Sequence, residues 1–117
     1  MAATGRAGRQ TSEHEVEEHL RLQCRKRGFL CLKFTSPSRS GVPDRVIITP
    51  RQTLFVEVKK PGEKPRRLQI ETISRMQAAG AVVHVVDSFA AVDELIAELT
   101  GPGLLTGSEG SIPSTSP

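Results

Sequence analysis

Apolar and polar positions alternate along the chain with two different periods, and the switch between them divides it into elements. Residues 12–28, "SEHEVEEHLRLQCRKRG", place Val16, Leu20 and Cys24 on one stripe at helical spacing. Ser12 followed by Glu15 fits a capping box, Gly28 is a natural stop, and Arg25, Lys26 and Arg27 suit the negative end of the helix dipole. "FLCLKF" (29–34) alternates and is β-prone, so it predicts a first strand. "TSPSRSGVP" is a loop. "DRVIIT" (44–49) and "TLFVEVKK" (53–60) predict two further strands joined by the turn "PRQ". After the loop "PGEKP", helical spacing returns from Arg66 to Ala79 and Gly80 closes it. "AVVHVV" (81–86) is a short apolar strand, and a last helix runs from the cap Ser88 to the stop Gly101.

The predicted order is αβββαβα. A hairpin followed by β-α-β implies an α/β fold with a mixed β-sheet core flanked by helices. Residues 1–11 are expected to form a flexible arm, residues 12–100 the single domain, and the Gly/Ser/Pro-rich stretch 101–117 a disordered tail.

Charge changes this picture. The net charge is +3, yet residues 1–67 hold 15 Lys/Arg against 7 Asp/Glu while residues 68–117 hold 1 against 6. A basic half beside an acidic half suits a polyanion docking on one side. There is no apolar run long enough for a membrane span and no apolar segment of a secretory signal near Met1, so a cytoplasmic protein is expected. Cys24 and Cys31 make no CxxC pair and read as small hydrophobes. With no Trp, no Tyr and four Phe, a stacking platform for single-stranded nucleic acid is not expected. There is no Gly-rich phosphate loop, nucleophile elbow or HExxH. His84 reads as a core histidine, and His14 and His19 are wrongly spaced to share a metal on one helix face.

The exceptional feature is polar residues where a strand should be apolar. Glu57 and Lys59 share one face of their strand, Val56 and Val58 the other, and Asp44 stands at the mouth of the neighbouring strand. Two converging carboxylates repel unless a cation lies between them, and such hard oxygens suit magnesium or manganese better than zinc. A third carboxylate can come from the first helix. At ~100° per residue, with Val16 at zero, Glu13 falls near +60°, inside the apolar arc, and Glu17 near +100°, at its edge. Glu13 is therefore the candidate and Glu17 the reserve. Gln69, at the start of the following helix, can reach a water or a phosphate oxygen at the same place.

"GVPDRVIITP…TLFVEVKKPGEKPRRLQ", with "SEHEVEEHL…RGFLCLKF" before it and "AAGAVVHVVDS" after it, resembles the virus-type replication-repair nuclease (VRR-Nuc) domain. That family is a branch of the PD-(D/E)xK nucleases with a restriction-endonuclease-like fold, and the resemblance covers about residues 12–99. It implies a Mg²⁺- or Mn²⁺-dependent phosphodiesterase in which Asp44, Glu57 and the Val58 carbonyl bind the metal and Lys59 is the catalytic lysine. Glu13 and Gln69 match the helix glutamate and the downstream glutamine. Compact members of this kind include homodimers that cut four-way DNA junctions, so branched DNA and a second copy are the implied partners. Arg39, Arg45, Lys60, Lys64, Arg66 and Arg67 flank the site and are expected to grip backbone phosphates. The competing expectations are a monomeric flap endonuclease or exonuclease of the same fold, and a non-catalytic DNA-binding module.

Overall fold

A computed structural model describes residues 10–101. The expected arm over 1–11 and tail over 101–117 lie, but for residues 10, 11 and 101, outside the described residues. Helix α1 (Glu13–Lys26) opens on the capping box: the Ser12 hydroxyl accepts from the Glu15 N–H at 3.1 Å, and Glu15 Oε1 accepts from the Ser12 N–H at 2.8 Å. It closes on Gly28, whose φ of 76° lets the Phe29 N–H turn back to the Cys24 carbonyl at 2.9 Å.

Strands β1 (Leu30–Lys33), β2 (Arg45–Ile48), β3 (Thr53–Val58) and β4 (Val83–Val86) form one sheet in the order β1-β2-β3-β4. The first two pairings are antiparallel and β3–β4 is parallel, as helix α2 (Arg67–Ala78) carries the chain between them. Helix α3 (Phe89–Thr100) follows, capped by the Ser88 hydroxyl, which accepts from the Ala91 N–H. The architecture is α/β with a mixed sheet, in the αβββαβα order.

One sheet face carries Ile47, Leu54, Val56, Val58 and Val86, all buried. They meet Val16, Leu20 and Cys24 of α1 and Val92, Leu95, Ile96 and Leu99 of α3 in a single core. Cys24 sits inside this core and Cys31 against it, both as free thiols. The other face carries Leu30, Leu32, Ile48 and Val85, each more than a third exposed.

Strands are shorter than the alternation predicts, because their ends are committed elsewhere. β4 starts at Val83 rather than Ala81, whose N–H closes α2 by bonding to the Met76 carbonyl at 2.9 Å. β3 ends at Val58; the Lys59 N–H still reaches the Val86 carbonyl, but the Lys60 N–H turns to Glu63 Oε1 in the next loop.

Candidate active site

Alternation aims the β3 backbone as well as its side chains. The N–H groups of Phe55 and Lys59 bond toward β4, to the carbonyls of Val82 and Val86. The even-numbered residues therefore bond toward β2, and the Thr49 N–H to Gln52 carbonyl contact at 2.9 Å fixes the same phase at the hairpin. Continuing the register past Arg45↔Val56 sets Val58 opposite Pro43. Proline has no N–H, so nothing in the ladder can bond the Val58 carbonyl. The Val58 N–H is taken by Asp44 Oδ2 at 3.0 Å. The Pro-Asp pair thus does two things: Asp44 is pinned to the end of β3, and a backbone carbonyl beside it is left without a strand partner.

Glu57 projects from β3 on the α2 side of the sheet and is 1% exposed. Gln69, in the first turn of α2, donates from Nε2 to Glu57 Oε2 at 2.7 Å. The amide is oriented by its other end, since Gln69 Oε1 accepts the Arg66 N–H at 2.9 Å at the cap of the helix. Lys59 Nζ lies 3.2 Å from the same Oε2, and its side chain is 8% exposed. Glu57 Oε1 is buried with no hydrogen-bond partner.

A buried carboxylate oxygen without a donor is costly, and the electrostatics reflect this. Burial pushes the Glu57 carboxyl above its ordinary range, the Asp44 charge adds to the rise, and the contacts from Lys59 and Gln69 offset it only in part. Glu13, at the start of α1, is also raised, first by burial and then by the Asp44 charge. Glu13, Asp44, Glu57, Lys59, Gln69 and Arg66 line one pocket of about 350 Å³, floored by Ser40 and Gly41.

Among the described residues no three His, Cys, Asp or Glu side chains close tightly enough to enclose an ion by themselves. The pocket offers a donor set of carboxylate oxygens. It suits Mg²⁺ or Mn²⁺, which are held by one or two carboxylates and complete their shells with water and phosphate oxygens. The orphaned Glu57 Oε1, Asp44 and the unpaired Val58 carbonyl are hard oxygen donors of that kind.

The other sequence candidates separate. Glu17 is not in the pocket: Lys33 and Arg45 hold its Oε2 at 3.1 and 2.8 Å. Arg45 corrects the expectation of an open phosphate contact. It shares its face with the buried Ile47, so α1 covers it, and its guanidinium is 12% exposed and bonded to Glu17. Arg39 lines an adjoining groove with Ser40, Leu68 and Thr72. Lys60, Lys64 and Arg67 are exposed and lie outside the pocket. Sequence reasoning missed Ser40, Gly41 and Thr72, which meet only in three dimensions.

Comparison with known proteins agrees with this architecture. The sequence pattern of the VRR-NUC domain matches residues 3–90. A protein of Acyrthosiphon pisum secondary endosymbiont phage 1, "Putative nuclease p44", is 46% identical over 77 residues, spanning 65% of this chain and 83% of that protein. A solved structure described as a VRR_NUC domain superposes with a TM-score of 0.68 at 38% identity, covering 74% of this chain and 95% of its own. Sequence, fold and the length shared with these relatives agree, and the chain belongs to the VRR-NUC domain family of nucleases.

Proposed function

We propose that the chain is a Mg²⁺- or Mn²⁺-dependent DNA endonuclease that hydrolyses phosphodiester bonds in branched DNA, four-way junctions included, as a homodimer. Nucleases of this family generally need a divalent metal. The observation that carries the reading is the orphaned oxygen of Glu57, buried beside Asp44 with no proton donor to satisfy it. Asp44, Glu57 and the Val58 carbonyl would hold the metal. The ion, when bound, lowers the pKa of water and neutralises charge on the phosphate.

Each side chain then has a task set by its contacts. Gln69 fixes the Glu57 carboxylate so that Oε1 faces inward. Lys59, buried at the rim of the same carboxylate, orients the attacking water and balances charge developing on the phosphate. Glu13, raised above its ordinary range, sits where it can hold or accept the water's proton. Arg66 lines the pocket at the head of α2 and is positioned to grip a neighbouring phosphate. Arg39, Lys60, Lys64 and Arg67 extend this cationic rim.

Two incisions are needed to resolve a junction, and each domain carries one set of Asp44, Glu57 and Lys59, so a C₂ dimer meets the requirement. The sheet face bearing Leu30, Leu32, Ile48 and Val85 supports the second copy as its occupant. Leu30, Leu32 and Ile48 are exposed together at the β1–β2 end of this face, where a two-fold can pair like with like, while Val85 is exposed on β4 at the opposite edge.

The test is incubation of the purified protein with labelled linear, flapped and four-way DNA, with and without Mn²⁺, beside Glu57→Ala. Symmetric, metal-dependent cuts in the junction that vanish in Glu57→Ala, with junction binding retained, are expected. Cleavage of flaps or ends by a protein that light scattering reports as a monomer would instead select the monomeric reading. Binding and cleavage both indifferent to Glu57→Ala would end the site assignment.

A further inference from the structure

The segment joining β1 to β2 runs from residue 34 to 44 without regular structure and delivers Asp44 as its last residue. Such a segment needs an anchor if its final carboxylate is to be placed to within a fraction of an ångström. The anchor is on α2. Thr72, 1% exposed in the middle of that helix, donates its hydroxyl to the Ser40 carbonyl at 3.0 Å. A mid-helix threonine ordinarily bonds back to its own helix, to the carbonyl four residues earlier. Here the hydroxyl reaches out to the loop instead.

Gly41 shows how closely the two are pressed. Its φ is +82°, and a Cβ there would lie 3.0 Å from both the Leu68 carbonyl oxygen and Thr72 Oγ1. Neither neighbour can retreat easily, since one is helix backbone and the other a buried hydroxyl. Position 41 is therefore closed to any side chain, by conformation and by space together. Beyond it, Val42 and Pro43 lead into Asp44, which is pinned in turn to the Val58 N–H. One helix thus grips both carboxylates of the site: Gln69 holds Glu57 directly, and Thr72 holds Asp44 through residues 40–43.

We propose that Thr72 is a positioning residue of the active site, and that its hydroxyl, acting through Ser40 and Gly41, sets the placement of Asp44 relative to Glu57. Its consequence for metal binding rests on the function proposed above; the tether itself does not.

The test uses Thr72→Val, which keeps the shape and removes the donor, with Thr72→Ser as the conservative rescue. In metal-free protein, amide hydrogen exchange at Val58 reports whether Asp44 still accepts its N–H. Thr72→Val is expected to speed that exchange by about tenfold while leaving the capped amide of Ala91 unchanged. Mn²⁺ alone, titrated by calorimetry or electron paramagnetic resonance, is expected to bind about tenfold more weakly. Thr72→Ser should restore both. Val58 exchange equal to the parent's in Thr72→Val overturns the proposal, and so does a Thr72→Ser protein that behaves like Thr72→Val. Should Thr72→Val not fold, Thr72→Ala replaces it: faster Val58 exchange there upholds the tether, and an unchanged rate overturns it. Faster Val58 exchange in a protein whose parent binds no Mn²⁺ upholds the tether and sinks the metal reading alone.

Discussion

Glu17 and Glu57 are both carboxylates sunk against the sheet, each with a lysine and a second nitrogen donor on one oxygen, yet they end in opposite electrostatic states. Burial tends to raise Glu17, but hydrogen bonds from Lys33 and Arg45, together with their charges, outweigh it and hold the group below its ordinary range. Glu57 receives one cation and one neutral amide, faces the Asp44 charge, keeps an oxygen with no donor, and is raised. Two full positive charges satisfy Glu17 within the protein. Glu57 is left short by about one charge and one donor, which is what a divalent cation supplies. The contrast teaches that burial of a carboxylate says little, whereas incomplete satisfaction of a buried one says where a ligand belongs.

The comparison breaks most sharply on a matched pair of substitutions. Glu57→Gln removes the charge with little change of shape, and metal-dependent cleavage should fall by about a thousandfold with the fold retained. Glu17→Gln should leave cleavage per folded molecule near the parent's and lower stability by about 2 kcal/mol, as Arg45 and Lys33 lose the negative charge they share. Single-turnover rates and urea melts on the two proteins decide the matter. A Glu17→Gln enzyme as dead as Glu57→Gln would merge the two clusters into one site.

The raised carboxyls give a second handle, through pH. In metal-free protein the folded-state pKa values of Glu57 and Glu13 lie above the ordinary value near 4.5. Their contribution to stability is thus fully present below the unfolded value and is lost as pH rises through the folded ones. A divalent cation takes the place of the proton, so its stabilising effect should be small in acid and grow across that window. With Mn²⁺ at about ten times its dissociation constant, near pH 8, the melting temperature should rise by about 5 °C. A shift of equal size on both sides of the window, or one kept in full by Glu57→Gln, would remove these carboxylates from the metal site.

Arginines sharpen the contrast more gently. Arg66 lines the pocket, so Arg66→Ala should reduce the slope of log affinity for DNA against log salt by about one. Arg45 is spent on Glu17, so Arg45→Ala should cost stability and leave that slope alone. Titrations at three salt concentrations suffice, and an equal drop in slope for both would restore Arg45 to the DNA-binding set.

Much of this was legible in the chain, and the reasons for the rest are physical. Period-two alternation located β2 and β3 and put Glu57 and Lys59 on a common face, because strand geometry is local. Helical spacing ranked Glu13 inside the apolar arc of α1 and Glu17 at its edge, where the structure has Glu17 meeting Arg45. Alternation also puts Arg45 on the face of Ile47, but nothing nearby in sequence tells which face a helix covers, and its partner is 28 residues away. The Thr72–Ser40 contact spans 32 residues and has no local signature. Strand ends at Val83 and Val58 were overrun because residues that look β-prone had their N–H groups spent on caps and loops.

The smallest effect concerns the helix on which both clusters hang. Glu13 and Glu17 lie one turn apart on α1, Glu13 in the first turn, where the Ser12 capping box satisfies the free N–H of Glu15. Ser12→Ala removes the acceptor for the Glu15 N–H and should lower stability by about 1 kcal/mol. Fraying is confined to the end of a helix, so Glu13 should lose order while Glu17, a turn further in and tied to β1 and β2, should not. If Glu13 serves the metal site, Mn²⁺ affinity should fall by about two- to threefold in Ser12→Ala, and Glu13→Gln should weaken binding no further in that background. Full additivity of the two substitutions would mean that the cap supports the helix without serving the site. Glu13 would then be a carboxylate near the pocket rather than one working in it.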